Sequence, residues 1–251
     1  MQARTERRPL YSIIIPARDE AGAIAALIGE LSACDLPRPF EIIVVDDGST
    51  DGTGDVVRAL ANPLVRLVRH DRSAGKSRAI RTGAEVALAP ILLTVDGDGQ
   101  NDPRYLPALV APFTADERVG LVAGQRAARH DGWRKKLVSR MANKMRRALL
   151  ADATRDTACG LKAMRREVFL ALPFFDNNHR FYPALMMREG WQVAHVDVVD
   201  RPRTAGRSKY GVLDRALVGL PDMLGVWWLR RRKASRPKVH EETIVEPQYD
   251  E

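Results

Sequence analysis

Ile91-Leu92-Leu93-Thr94-Val95-Asp96-Gly97-Asp98-Gly99-Gln100 runs from a short apolar stretch straight into a turn that carries two carboxylates one residue apart. The first half is continuous rather than alternating, which reads as a β-strand buried on both faces. Asp96 and Asp98 therefore sit at the mouth of a strand and not inside it. Two carboxylates that close together repel unless a cation holds them. Hard oxygen donors suit Mg²⁺ or Mn²⁺, and those ions in turn bind phosphates. Taken alone, the pair is equally an ordinary solvated acidic turn.

The sequence around it alternates strand and helix signals, the pattern of a parallel sheet with crossover helices. Residues 10–16, 41–45, 65–69, 91–95 and 119–123 read as strands, with Ile13-Ile14-Ile15 continuous in the first. Between them, residues 21–34 carry Ile24, Leu27, Ile28 and Leu31 at helical spacing. Further helices are expected over 53–61 and from Gly75-Lys76-Ser77 to about residue 88, and Pro103 suits the first turn of another. The fold class is α/β, a Rossmann-like, mostly parallel central sheet flanked by helices. In such sheets ligands bind at the carboxyl ends of the strands, and the polar residues of interest cluster there.

The second half has a different texture. Residues 133–150 form a helix candidate with Arg134, Lys135, Lys136, Arg140, Lys144, Arg146 and Arg147 and no acid. Residues 161–165 and 193–199 read as strands. Residues 212–229 form an apolar helix containing Pro221 and ending in Trp227-Trp228-Leu229-Arg230-Arg231-Arg232-Lys233. Residues 234–251 are polar and of mixed charge, the composition of a disordered tail.

With 251 residues, 45% of them hydrophobic, the chain has enough apolar material for one large domain with appendages. A net charge of +8 favours phosphates, anionic lipid or nucleic acid as partners. Cys34 and Cys159 lie far apart with no metal-ligand spacing, which points to a reducing compartment. The polar, basic start of the chain has no apolar core of a signal peptide. No stretch reaches the roughly 18 consecutive apolar residues of a spanning helix.

Three strand ends are acidic: Pro16-Ala17-Arg18-Asp19-Glu20, Val45-Asp46-Asp47-Gly48-Ser49 and Asp96-Gly97-Asp98. Carboxylates at the first two suit ribose hydroxyls and a base edge, and a metal at the third would meet a diphosphate. Three such ends in one sheet argue against an incidental acidic turn. The first strand lacks the G-x-G-x-x-G turn of a dinucleotide fold, and Gly48-Ser49-Thr50-Asp51-Gly52 lacks the lysine of a P-loop.

These residues resemble an inverting glycosyltransferase of family 2 with the GT-A fold. Within that family the chain is most similar to dolichyl-phosphate mannose synthases and their bacterial polyprenyl-phosphate relatives. The likeness spans roughly residues 10–229 and rests on segments 16–20, 41–53, 75–83, 96–103, 156–162, 179–185 and 203–209. It implies that Pro16, Arg18 and Glu20 line the nucleotide pocket with Val45 and Asp47. It further implies that Asp96, Asp98 and Gln100 hold Mg²⁺ or Mn²⁺, with Gly97 packed beside the donor. Arg126 would face the donor phosphate or the acceptor. Arg203 and Lys209, in a segment similar to the family's R-x-x-G-x-S-K, would clamp the diphosphate or the acceptor phosphate. Asp98, Arg126, Arg203 and Lys209 are thus the expected catalytic group. Asp19 departs from the family's usual asparagine. His179-Arg180-Phe181-Tyr182-Pro183-Ala184-Leu185 is similar to the bacterial cell-envelope branch, which weakens an assignment of GDP-mannose as donor.

The resemblance implies a catalytic domain over 10–211, an amphipathic membrane-interface helix over 212–233 and a tail over 234–251. The expected reaction moves a sugar from a GDP- or UDP-linked donor to a polyprenyl phosphate. A metal on the departing nucleoside diphosphate would stabilise its charge. A phosphate acceptor, already largely ionised at neutral pH, needs cations to position it and no general base. Were the acceptor a glycan hydroxyl, the second reading, Asp156 is the candidate base.

The basic helix 133–150 and the paired tryptophans of 212–233 suit an anionic membrane surface. Peripheral attachment at the cytoplasmic face is expected, with an integral-membrane protein as a further partner. A basic nucleic-acid-binding protein would explain the charge but not the acidic strand ends, so no nucleic-acid partner is expected.

Overall fold

The computed structural model describes residues 8–126, 149–150, 152, 154–201 and 212–232, with side chains of the last helix described from Leu220 onward. Its sheet contains β1 (Tyr11–Ala17), β2 (Phe40–Asp46), β3 (Val65–Arg69), β4 (Ile91–Thr94), β5 (Val119–Arg126), β6 (Lys162–Arg165) and β7 (Gln192–Val198), in the spatial order β3-β2-β1-β4-β6-β5-β7. The helices are α1 (Ile24–Ser32), α2 (Thr53–Ala59), α3 (Lys76–Val86), α4 (Leu106–Ala115), α5 (Arg166–Leu170), α6 (Tyr182–Arg188) and α7 (Val212–Arg231). The five strands expected in the first half are all present, each within a few residues of its expected bounds. The short helices α5 and α6 are additions, too brief to show a helical period. The basic helix expected over 133–150 lies outside the described residues apart from its last two positions.

Alternation along the strands divides the core into two layers. Ile13, Ile15, Ile42, Val44 and Leu93 face α1 and α4, meeting Ile24, Leu27, Ile28, Leu106 and Leu109. Ile14, Ile43, Val45 and Leu92 face the other way, onto Ala79, Ile80 and Ala84 of α3 and the apolar residues of α5 and α6. Both faces are covered, which is why these strands are apolar throughout. Each fully buried aliphatic side chain contributes roughly 1.5–3 kcal/mol. Helix α3 lies so close to the sheet that a Cβ on Gly83 would come within 2.5 Å of Ile14. That close approach sets Lys76, the first residue of α3, above the carboxyl ends of the strands.

The sheet is parallel except for β6, which runs antiparallel between β4 and β5 and pairs Lys162 with Thr94. The start of β6 therefore meets the end of β4. Strand β7 is parallel to β5, with Val198 opposite Arg126. One rim of the sheet thus collects the ends of β1, β2, β4, β5 and β7 together with the loop that leads into β6.

Asp102 anchors this rim from below. Its carboxylate accepts from the Arg104 backbone N–H at 3.0 Å, from Arg104 Nη2 at 2.6 Å and from Arg201 Nη2 at 2.9 Å. Arg201 also pairs with Glu30 of α1, and its backbone N–H donates to Gln100. Burial pushes the Asp102 carboxyl up, but the donors from Arg104 and Arg201 outweigh it and bring its pKa down to about 2. The unfolded value is about 3.9, so this stabilisation is present above about pH 4 and is lost as pH falls through about 2. Asp102→Asn is expected to lower stability by about 1–2 kcal/mol at pH 7, a deficit that shrinks between about pH 4 and 2. Urea unfolding across that range measures it, and a deficit independent of pH would contradict the assignment.

Candidate active site

Asp96 follows β4, and its carboxylate is wedged between two elements. On one side Lys76 Nζ lies 2.5 Å from Oδ1. On the other, a Cβ added to Gly160 would fall 2.4 Å from Cγ and 2.5 Å from each carboxylate oxygen. A side chain at 160 would force this carboxylate to shift. The Thr94 hydroxyl holds that loop by donating to the Gly160 carbonyl at 2.6 Å. Burial pushes the Asp96 carboxyl up, but Lys76 first, then Lys162 and Arg126, hold it below the ordinary carboxylate range. Lys162 is buried beneath, with its ammonium donating to the Cys159 carbonyl. Burial pulls its pKa down to about 8, against the pull of nearby carboxylates that include Asp96 and Asp156. His179 completes this group. Its Nδ1 is 2.7 Å from the Ser77 hydroxyl, and burial together with Lys76, Lys162 and Arg180 keeps its pKa well below the usual imidazole value.

Asp98 lies two residues on, its Oδ1 accepting from the Gln100 backbone N–H at 3.2 Å. Gly99 between them has φ +73°, a left-handed turn that glycine enters without strain. Gly97 is buried against the end of β1, where a Cβ would stand 3.3 Å from the Pro16 carbonyl and 3.4 Å from Ala17 Cβ.

A polar chain runs from this loop to Arg126. The Asp96 N–H donates to Asn101 Oδ1 at 2.9 Å, and Asn101 Nδ2 donates to Asp200 at 3.3 Å. Asp200 accepts from Arg126 Nη1 at 3.2 Å. Arg126 also grips Asp156 through Nε and, at 3.0 Å, through Nη2. Burial alone would lower the Arg126 pKa, and the two carboxylates more than reverse that. Burial raises the Asp200 carboxyl above its usual range despite Arg126.

At the ends of β1 and β2, the residues expected to line a nucleotide pocket are brought together but do different work. Asp47 is buried and accepts from the Ser73 hydroxyl at 2.7 Å and the Ala74 and Gly75 N–H groups at 2.8 and 2.9 Å. Its Oδ1 lies 2.7 Å from His70 Nδ1. It holds the loop that delivers Lys76. Burial pushes its carboxyl up, yet these contacts keep it below the usual range. Arg18 is exposed and donates to the Ser73 hydroxyl at 2.9 Å. Glu20 donates its N–H to the Thr53 hydroxyl at 2.9 Å, and Pro16 lies half-buried at the end of β1. The Val45 side chain is wholly inside the core and turns no surface toward a ligand. Asp19 has φ +55° and accepts from the Thr50 N–H at 2.9 Å. Asparagine and aspartate both tolerate that left-handed backbone, so the departure from asparagine keeps the turn.

Arg203 and Lys209 lie outside the described residues. Lys76, Asn101, Lys162, His179 and Asp200 were not among the expected site residues. For Lys76 the available signal is Gly75-Lys76-Ser77 at the start of a helix. Asn101 lies in the acidic loop itself and His179 reaches Ser77 of α3, whereas Lys162 and Asp200 depend on the antiparallel course of β6 and the pairing of β7, which no local pattern encodes.

Among the described residues no three His, Cys, Asp or Glu side chains form a metal cluster. Asp96 and Asp98 nevertheless fit a divalent ion of the Mg²⁺ type, which is commonly held by one or two carboxylates and completes its shell with substrate phosphates and water. Gln100 adjoins them as an oxygen donor.

A family profile described as Glycosyl transferase family 2 matches residues 12–172, and the chain belongs to that family. It is 32% identical over 216 residues to the undecaprenyl-phosphate 4-deoxy-4-formamido-L-arabinose transferase of Serratia proteamaculans (strain 568), covering 84% of this chain and 66% of that protein. To the dodecaprenyl-phosphate galacturonate synthase of Rhizobium johnstonii it is 30% identical over 231 residues, covering 89% and 68%. The chain thus spans about two thirds of the length of these curated relatives. Glucosyl-3-phosphoglycerate synthase from Mycobacterium tuberculosis, solved with Mn²⁺, UDP-glucose and phosphoglyceric acid, has a TM-score of 0.66 and 22% identity over 90% of this chain and 81% of that one. That likeness shows a shared GT-A-like fold, as the family resemblance implied.

Gly160→Ala is expected to displace the Asp96 carboxylate and lower kcat/KM for sugar transfer by about 100-fold, the scale of an ångström of misplacement. Circular dichroism should show the fold retained. Transfer within about twofold of the parent protein would mean that the fit at Gly160 carries no function.

Proposed function

We propose that this protein transfers a sugar from a nucleotide sugar to a polyprenyl phosphate of the undecaprenyl class, with inversion and with Mg²⁺ or Mn²⁺, for a bacterial cell-envelope glycan or glycolipid. The observation that carries the reading is the pair Asp96 and Asp98 at the end of β4, on the same rim as Arg126. Relatives at 30–32% identity over most of the chain, named as polyprenyl-phosphate transferases, support the acceptor class. A bound divalent ion would supply positive charge to the departing diphosphate, held by Asp96 and Asp98 with Gln100.

The chain's own residues then have separate tasks. Arg18 and Glu20 face the nucleoside, and Asp47 fixes the loop behind it. Arg126, held by Asp156 and Asp200, presents a fixed cation on the rim near the reacting phosphates. Arg203 and Lys209 are proposed to clamp the acceptor phosphate or the diphosphate. A carboxylate gripped by a guanidinium through two nitrogens is a poor proton acceptor. The Arg126–Asp156 pair therefore supports an acceptor that arrives already ionised over a hydroxyl that needs a base.

Helix α7 supports attachment to the membrane that carries the lipid. Met223 and Val226 are buried in the core, while Leu220, Leu224 and Trp228, four residues apart, are 46%, 50% and 53% exposed. Arg231 and Arg232 stack over Trp227 and Trp228 at 4.1 and 5.6 Å, placing cations beside this apolar stripe. Among the described residues no helix is long and apolar enough to cross a membrane. Such a helix lies in the plane of an anionic cytoplasmic surface.

The test offers nucleotide sugars, with Mg²⁺ or Mn²⁺, to the purified chain and undecaprenyl phosphate in anionic vesicles. Lipid-linked sugar is expected, with at least about 100-fold less from Asp98→Ala. Replacing Leu220, Leu224 and Trp228 by serine should weaken both vesicle co-sedimentation and turnover on vesicles. Product formed without lipid phosphate, or undiminished in Asp98→Ala, would refute the proposal.

A further inference from the structure

Lys76 already holds one of the carboxylate oxygens that a divalent ion on Asp96 would use. Its ammonium lies 2.5 Å from Asp96 Oδ1, and a metal on the same oxygen would sit at about 2.1 Å. Gly160 packs against the far side of the carboxylate, where an added Cβ would fall 2.5 Å from each oxygen. A divalent ion and an ammonium held on one half-buried carboxylate repel strongly. One of them has to move. Lys162 is 4% exposed and donates to the Cys159 carbonyl, so it is a fixed part of the floor. The Lys76 side chain is 34% exposed, and it springs from the first residue of α3 on a flexible stem.

The charges suggest where it goes. Asp96, Asp156 and Asp200 face Lys76, Lys162 and Arg126, and Asp98 adds a further carboxylate on the same loop, so Lys76 is one of the cations that balance Asp96 before any ligand arrives. The donor's diphosphate carries one negative charge on each phosphate, as many as a divalent ion cancels, and the free nucleoside diphosphate carries more; both offer an ammonium new oxygen partners.

We propose that Lys76 is an exchangeable counter-cation, neutralising Asp96 in the free protein and moving to the donor's diphosphate when the divalent ion takes Asp96. This rests on the reading of Asp96 and Asp98 as the metal–diphosphate site. Metal and nucleoside diphosphate then bind cooperatively. Each removes the obstacle to the other, and metal alone is held back by Lys76.

The test is a titration of the purified chain with Mn²⁺, followed by electron paramagnetic resonance, alone and with UDP or GDP. In Lys76→Met, Mn²⁺ alone should bind about fivefold tighter, the scale of a released half-exposed ion pair. The same variant should bind nucleoside diphosphate with Mn²⁺ about tenfold more weakly, having lost a charged phosphate contact. Lys76→Gln should behave alike, and Lys76→Arg should restore nucleoside diphosphate binding. A misfolded variant would weaken both, so the opposite signs are diagnostic. Mn²⁺ binding no tighter in Lys76→Met, or nucleoside diphosphate binding unchanged, would overturn the exchange while leaving the proposed function standing. A parent protein that binds neither Mn²⁺ nor nucleoside diphosphate would overturn both.

Discussion

A carboxylate packed between a glycine and a lysine organises this protein. Asp96 stands at the end of β4 with Gly160 packed directly against it and Lys76 on its open side. Holding it there requires three parts of the chain to meet. Strand β4 must end at the rim, β6 must run antiparallel so that its leading loop arrives at the same place, and α3 must lie close enough to the sheet to deliver Lys76. The last condition depends on Gly83, whose missing side chain admits Ile14. Core packing and site geometry are thus one problem. An interior this dense passes a small displacement in the core on to the rim.

The rim is also electrostatically closed on itself. Arg126 is shared by Asp156 and Asp200, and Asn101 joins Asp200 to the backbone of Asp96. A carboxylate in such surroundings stays ionised because cations and N–H donors face it, and burial alone would do the reverse. The same arrangement serves a phosphate ligand. Cations already fixed by carboxylates need little reorganisation when new negative charge appears, which is the condition for strong electrostatic stabilisation of a leaving group.

Much of the fold could be read from the chain, and the reasons are local. Ile13-Ile14-Ile15 and Ile42-Ile43-Val44-Val45 are continuous because helices cover both faces of the sheet. The acidic turn after Leu93 was legible for the same reason, since polar residues following a buried strand have to lie at its end. Strand direction was not legible: residues 161–165 read as a strand, but nothing in them says antiparallel. Two adjacent aspartates were told apart only by the family resemblance, not by their residue type or spacing. Asp46 turns inward to accept from Arg69 at 2.9 Å, while Asp47 ties down the loop before α3. Lys162 and Asp200 reach the site only through strand pairing, and such long-range contacts leave no spacing rule in the sequence.

The account stands on a divalent ion seated at the end of β4. Crystals grown with Mn²⁺ and UDP or GDP, with diffraction recorded at the manganese absorption edge, test it most directly. The account predicts an anomalous peak about 2.1 Å from a carboxylate oxygen of Asp96 or Asp98, in contact with the diphosphate. A nucleoside diphosphate bound on this rim with no manganese at either aspartate, or manganese and diphosphate bound elsewhere on the molecule, would contradict it.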